Sequence, residues 1–120
     1  MKKAIVTGAT GFIGKFLVRE LIKQNIEVIA VVRKETKNLK TIKALPVRII
    51  ECNISDYYML PDIIADRDID AVFHIAWQGV SDQDARDEVI QMQNLQSTLD
   101  LIDAMYTIKI GTFVGCGSLH

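Results

Sequence analysis

The chain has 120 residues, 49% of them apolar, and a formal net charge of −1. That is enough chain for one domain with a real core, and it argues against disorder and against a nucleic-acid surface driven by charge. Cys52 and Cys116 lie far apart in no metal-like spacing, so they read as reduced, buried thiols of a cytoplasmic protein with no metal site.

Met1-Lys2-Lys3 ahead of apolar residues imitates a secretion signal, but Gly8, Gly11 and Lys15 interrupt the apolar stretch and no small-residue cleavage site follows. No stretch approaches the length of a membrane span. Lys3 to Thr7 reads as a first strand, and Gly11 to about Gln24 as a helix. Ile13, Phe16, Leu17 and Leu21 form the expected buried stripe of that helix, with Lys15, Arg19, Lys23 and Gln24 opposite. Between strand and helix stands Thr7-Gly8-Ala9-Thr10-Gly11-Phe12-Ile13-Gly14. Gly8 permits a sharp turn, Gly11 keeps side chains away from an approaching pyrophosphate, and Gly14 lets the helix pack closely on the strand. The free amides and positive end of the helix then face the anion. A P-loop is excluded by counting: five residues separate Gly8 from Gly14-Lys15, and Phe16 stands where a Ser or Thr would hold magnesium.

Glu27 to Val32 is a second, β-branched strand. A helix is expected from Glu35 to Leu45, ended by Pro46, then a strand over Val47 to Ile50. Ser55 or Asp56 is the expected cap of a helix reaching Ile64, with Pro61 limiting its regularity. Asp70 to Ala76 is a fourth strand. A long helix over Asp84 to Tyr106 carries Val89, Met92, Leu95, Leu99 and Ile102 on one face, and Thr112-Phe113-Val114 starts a fifth strand. Near-continuous apolar strands alternating with helices predict an α/β fold, a doubly wound parallel sheet of the Rossmann type with order 3-2-1-4-5. The ligand crevice then lies at the carboxyl ends of the strands, between the first and the fourth.

Four stretches resemble the amino-terminal part of extended short-chain dehydrogenases/reductases, in the NAD-dependent epimerase/dehydratase group. They are the glycine run, Phe73-His74-Ile75-Ala76 on the fourth strand, Asn94-Leu95-Gln96-Ser97-Thr98-Leu99 on the long helix, and Phe113-Val114-Gly115-Cys116-Gly117-Ser118. The resemblance implies that residues 1–120 are a dinucleotide-binding domain of an epimerase, dehydratase or reductase. Its substrate would be a nucleotide-linked sugar or similar carbonyl compound. Gly8, Thr10, Gly11, Phe12, Ile13 and Gly14 would surround the pyrophosphate, and Asn94 would support the cofactor. Asn53-Ile54 stands where relatives place Asp before an apolar residue, and the Asn carbonyl can accept from adenine in its place. Arg33, with Lys34 beside it, stands where NAD-binding relatives place an Asp. That charge favours NADP over NAD through a 2′-phosphate, unless Arg33 is a solvated strand end.

Ala76 and Trp77 should lie near the ribose and nicotinamide, the indole either lining the substrate pocket or lying partly buried in the core. Ser118 is the candidate catalytic hydroxyl, against a plain strand-end serine bonded to backbone. His74 reads as a structural histidine rather than a base, and Asp66, Asp68 and Asp70 as a turn rather than metal ligands. The family reaction also needs Tyr-x-x-x-Lys, which this chain lacks. The expectation is therefore a fragment that binds a dinucleotide without turning over substrate alone, or alternatively a dinucleotide-sensing regulator. Leu101, Met105, Ile108 and Ile110 are expected to be exposed by truncation, driving self-association into a homo-oligomer through the long helix or a sheet edge.

Overall fold

In the computed structural model, which describes residues 1–34, 36–77 and 87–115, ten elements follow in order. They are β1 (Lys3–Thr7), α1 (Phe12–Lys23), β2 (Glu27–Val32), α2 (Lys40–Lys43), β3 (Arg48–Glu51), a 3-10 helix (Ile54–Met59), α3 (Leu60–Ile63), β4 (Ala71–His74), α4 (Glu88–Ile108) and β5 (Thr112–Gly115). All strand pairs are parallel and the sheet order is β3-β2-β1-β4-β5, as the alternation of the sequence predicts. Thr7 pairs with Val31 on one side and with His74 on the other, so the central strands finish at one level. The loops that follow them therefore leave from a common edge.

The central strands β1, β2 and β4 are buried on both faces because successive side chains alternate across the sheet, while the edge strands β3 and β5 keep exposed residues. Ile5, Ile29, Val31 and Val72 pack with Tyr57, Leu60, Leu101, Met105 and Ile108 on one face. Ala4, Val6, Val28, Ala30 and Val32 pack with Val18, Leu21 and Ile42 on the other.

Both long helices turn inward a stripe that differs from the one their apolar periodicity suggests, in α1 only in part, since Leu21 is buried and Leu17 packs on the core as expected. In α1 the buried residues are Gly14, Val18 and Leu21, while Ile13 and Phe16 are exposed. Phe12, Phe16 and Lys15 instead form an exposed group, the two rings 5.4 Å apart and edge-on with the ammonium over both. Gly14 decides the rotation, since the residue without a Cβ must face the point of closest approach. In α4 the inward stripe is Asn94, Ser97, Leu101, Ala104, Met105 and Ile108. Leu101, Met105, Ile108 and Ile110 are thus buried, contrary to expectation, and the exposed apolar face is Val89, Met92, Leu95, Leu99 and Tyr106. The helix is capped by Asp87, whose carboxylate accepts from the amides of Val89 and Ile90. The expected start at Asp84 lies outside the described residues.

Two other boundaries shift for local reasons. The helix expected over residues 35–45 contracts to α2, where the Asn38 carbonyl takes both the amide and the hydroxyl of Thr41. The segment before Pro61 forms the 3-10 helix, because an α-helix running continuously through it would drive the pyrrolidine ring into the carbonyl four residues back; Pro61 instead sits in the first turn of α3, where it is tolerated. Its cap position is Asn53, not Ser55 or Asp56, and the Asn53 side chain makes no cap bond.

At the amino edge of the sheet, Lys3 Nζ contacts Asp66 (2.7 Å), Asp68 (2.9 Å) and Glu27 (3.2 Å), and Arg48 contacts Asp66 at 2.7 Å. Those two cations hold the Asp66 carboxyl down at about 2. Asp70 accepts from the amides of Lys2 and Lys3. The three aspartates are thus committed to tying β1 to its neighbours, on the edge opposite the loops that leave the carboxyl ends of the strands. Among the described residues, no group of three His, Cys, Asp or Glu could hold a metal ion.

Candidate functional site

The glycine turn leaves β1 with Gly8 at φ +67°, in the left-handed region. A Cβ on Gly8 would come within 2.6 Å of the Ala76 backbone nitrogen, and a Cβ on Gly14 would be driven into the Gly8 carbonyl oxygen. Gly11 differs: its nearest contact would be that same oxygen at 3.5 Å, ordinary van der Waals distance. The protein's own packing thus requires the first and third glycines but not the second. Gly11 is exposed, caps α1 with extended backbone, and brings no side-chain bond to the helix amides. No acidic residue stands in the first turn of α1. The amino end of this 12-residue helix is therefore bare, positive and open.

The loops after β2 and β3 meet beside it. Asn53 Oδ1 accepts from the Lys34 amide at 2.9 Å, and Thr10 Oγ1 lies 3.4 Å from Thr36 Oγ1. One acceptor site of the Asn53 oxygen is thereby used to hold the β2 loop, and a carboxamide oxygen has two. Ile54 packs against the core. Arg33 and Lys34 are exposed, and among the described residues neither is in an ion pair.

The loop after β4 is fixed by Thr7. The Thr7 hydroxyl oxygen accepts from the amides of Ile75 (3.1 Å) and Ala76 (3.2 Å), leaving its proton for His74 Nδ1 at 2.8 Å. His74 therefore carries its proton on Nε2, which donates to Thr98 Oγ1 at 3.3 Å, and Thr98 passes its own proton to the Asn94 carbonyl. His74 is buried, and that burial pulls its pKa down to about 4. Tyr57 stacks edge-on against the ring, its own phenol pushed up by burial. This is the structural histidine the strand position implies. The role of Thr7 escaped the sequence, although the register that pairs Thr7 with His74 would have exposed it.

Trp77 is half-buried, and its Nε1 donates to Gln91 Oε1 at 3.3 Å. Asn94, buried on the inward face of α4, donates from Nδ2 to the same oxygen at 3.3 Å. Gly8, Thr10, Gly11, Phe12, Ile13, Gly14, Arg33, Asn53, Ile54, Ala76, Trp77 and Asn94 thus all belong to the carboxyl edge or to elements lining it. Ser118 lies outside the described residues.

A parallel sheet crossing over between β1 and β4, with an anion-receptive turn at that point, defines a Rossmann-type domain. Residues 4–120 match the NAD dependent epimerase/dehydratase family, and the chain belongs to it. It is 29% identical over 117 residues to a UDP-glucose 4-epimerase of Haemophilus influenzae, covering 92% of this chain and 35% of the relative. It is 35% identical over 82 residues to one from Neisseria meningitidis serogroup B, covering 63% of this chain and 24% of that protein. The UDP-glucose 4-epimerase of Bifidobacterium longum, solved with NAD+ and UDP, superposes with a TM-score of 0.79 at 25% identity over 98% of this chain and 37% of that one. A UDP-galactose 4-epimerase structure superposes at 0.82 with 21% identity, over 97% of this chain and 38% of its own, and supports the fold alone. The chain thus spans between about a quarter and two fifths of the length of these relatives. No helix among the described residues is long and apolar enough to cross a membrane.

Proposed function

We propose that residues 1–120 form the dinucleotide-binding domain of an epimerase, dehydratase or reductase that works on a nucleotide-linked sugar in the cytoplasm. The observation that carries this reading is Gly11: a position where the fold tolerates a Cβ, directly before bare helix amides, is one kept small for a ligand. The amides of Phe12, Ile13 and Gly14 would receive the pyrophosphate. Asn53 would take the adenine edge, and Ala76, Trp77 and Asn94 would border the nicotinamide ribose. Bound nicotinamide dinucleotide supplies a hydride donor and acceptor. Ser118 would polarise the substrate oxygen.

The exposed cations Arg33 and Lys34, in no ion pair among the described residues, support NADP over NAD as the coenzyme. Titration of the chain with both coenzymes, followed by calorimetry, tests the whole reading. Both should bind, and Arg33→Asp should weaken NADP by about tenfold or more while changing NAD little. Failure of both to bind would refute the reading, and an equal loss for both would refute the preference.

The exposed face of α4 supports self-association through a second copy. Val89, Met92, Leu95 and Leu99 recur on one side of the helix, each about half or more exposed. Sedimentation should give a dimer that Leu95→Glu converts to monomer. A wild-type monomer at every concentration would count against this interface.

A further inference from the structure

Gln91, on α4, bonds to the indole of Trp77 in the loop after β4. Its Oε1 receives Trp77 Nε1 and Asn94 Nδ2, each at 3.3 Å. Neither of those nitrogens can accept a hydrogen bond, so the Gln91 carboxamide must turn its oxygen toward them. The same loop is held from the sheet side, where the Thr7 hydroxyl takes the amides of Ile75 and Ala76. Ala76 in turn sits where any Cβ on Gly8 would fall. Residues 75–77 are thus clamped between the glycine turn and α4. Thr7 fixes their backbone, and Gln91 fixes the side chain that ends the clamp. Trp77 is half-buried and follows β4 directly, at the carboxyl edge of the sheet where β1 and β4 end.

We infer that Gln91 is a positioning residue of this site. It holds the Trp77 indole as a fixed aromatic wall at the carboxyl end of β4 and keeps the Asn94 carboxamide in register with it. The affinity for a planar, aromatic-ring ligand in the crevice then depends on Gln91 through Trp77. The inference rests on the dinucleotide reading above for the identity of that ligand, while the clamp itself is a property of the free chain.

The chain has a single tryptophan, so its fluorescence reports this position alone. Gln91→Met keeps the length of the side chain and removes the acceptor, on the surface of a 21-residue helix that keeps its cap. The variant should retain its far-ultraviolet circular dichroism, show a red-shifted indole, and be quenched more readily by acrylamide. Its affinities for NADH and NADPH, measured by calorimetry, should fall about tenfold, equivalent to about 1.4 kcal/mol. Introduced into a Trp77→Phe chain, which lacks the indole N–H, Gln91→Met should change affinity by less than about threefold, because the two effects share one interaction. An equal loss in both backgrounds would overturn the positioning role. Acrylamide quenching that matches the wild type would overturn the clamp, even if neither coenzyme binds. Wild-type failure to bind either coenzyme would instead sink the reading beneath it, so the two failures are distinguishable.

Discussion

Gly11→Ala will abolish dinucleotide binding and leave the fold standing, whereas Gly14→Ala will damage the fold itself. The two residues lie three apart in one motif and differ only in what surrounds them. A methyl on Gly14 enters the Gly8 carbonyl oxygen and crowds Ala9 Cα at 2.9 Å, and all of these are backbone atoms that no rotamer change can move aside. Relief requires α1 to back away from β1, loosening Val18 and Leu21 on the same face. Overpacking of that kind destabilises by about 3 kcal/mol. A methyl on Gly11 meets only the Gly8 oxygen at 3.5 Å, so its cost is limited to a poorer helix cap, about 1 kcal/mol or less. It does, however, project where the helix amides open to solvent. Urea denaturation and coenzyme calorimetry on both variants separate the effects. If Gly11→Ala bound NAD or NADP as the wild type does, the amide cradle would not be the binding site.

The glycine spacing, the five strands and their order are legible because each rests on local chemistry: apolar runs for strands, residues without Cβ for the turn. The facing of the helices is less legible because each long helix carries two apolar stripes. In α1, Leu21 turns inward as expected, and the tight contact at Gly14 brings Val18 in beside it in place of Ile13 and Phe16. In α4 the inward face includes Asn94 and Ser97, polar residues that periodicity assigns to solvent. Their burial becomes intelligible only with their partners, Gln91 for the Asn94 amide and the Gln93 carbonyl for the Ser97 hydroxyl. The nearness of the β2 and β3 loops was not legible, since the bond from the Lys34 amide to Asn53 joins two loops from different strands.

The second large effect is a loss of stability on mild acidification, carried by His74. In the folded chain its pKa is drawn down to about 4 by burial, against 6.5 for an ordinary histidine. Well above pH 6.5 the ring is neutral in both folded and unfolded chains and its contribution is complete. As the pH falls from 6.5 toward 4 the unfolded chain takes up a proton that the folded chain refuses, and stability declines. Between pH 7 and pH 5 the decline amounts to roughly 2 kcal/mol. The refusal has a structural origin besides burial. Nδ1 accepts the Thr7 proton, so a protonated ring would place two donors face to face, unless Thr7 released the amides of Ile75 and Ala76. Acid should therefore loosen the β4 loop before it unfolds the sheet. Asp66, held near 2, keeps its charge throughout this window and does not confuse the reading. Urea midpoints measured from pH 7.5 to pH 5 should fall steadily in the wild type. In His74→Gln they should start lower, by about 1–3 kcal/mol for the partner left unsatisfied, and then stay nearly level. Parallel slopes for the two proteins would show that some other group binds the proton.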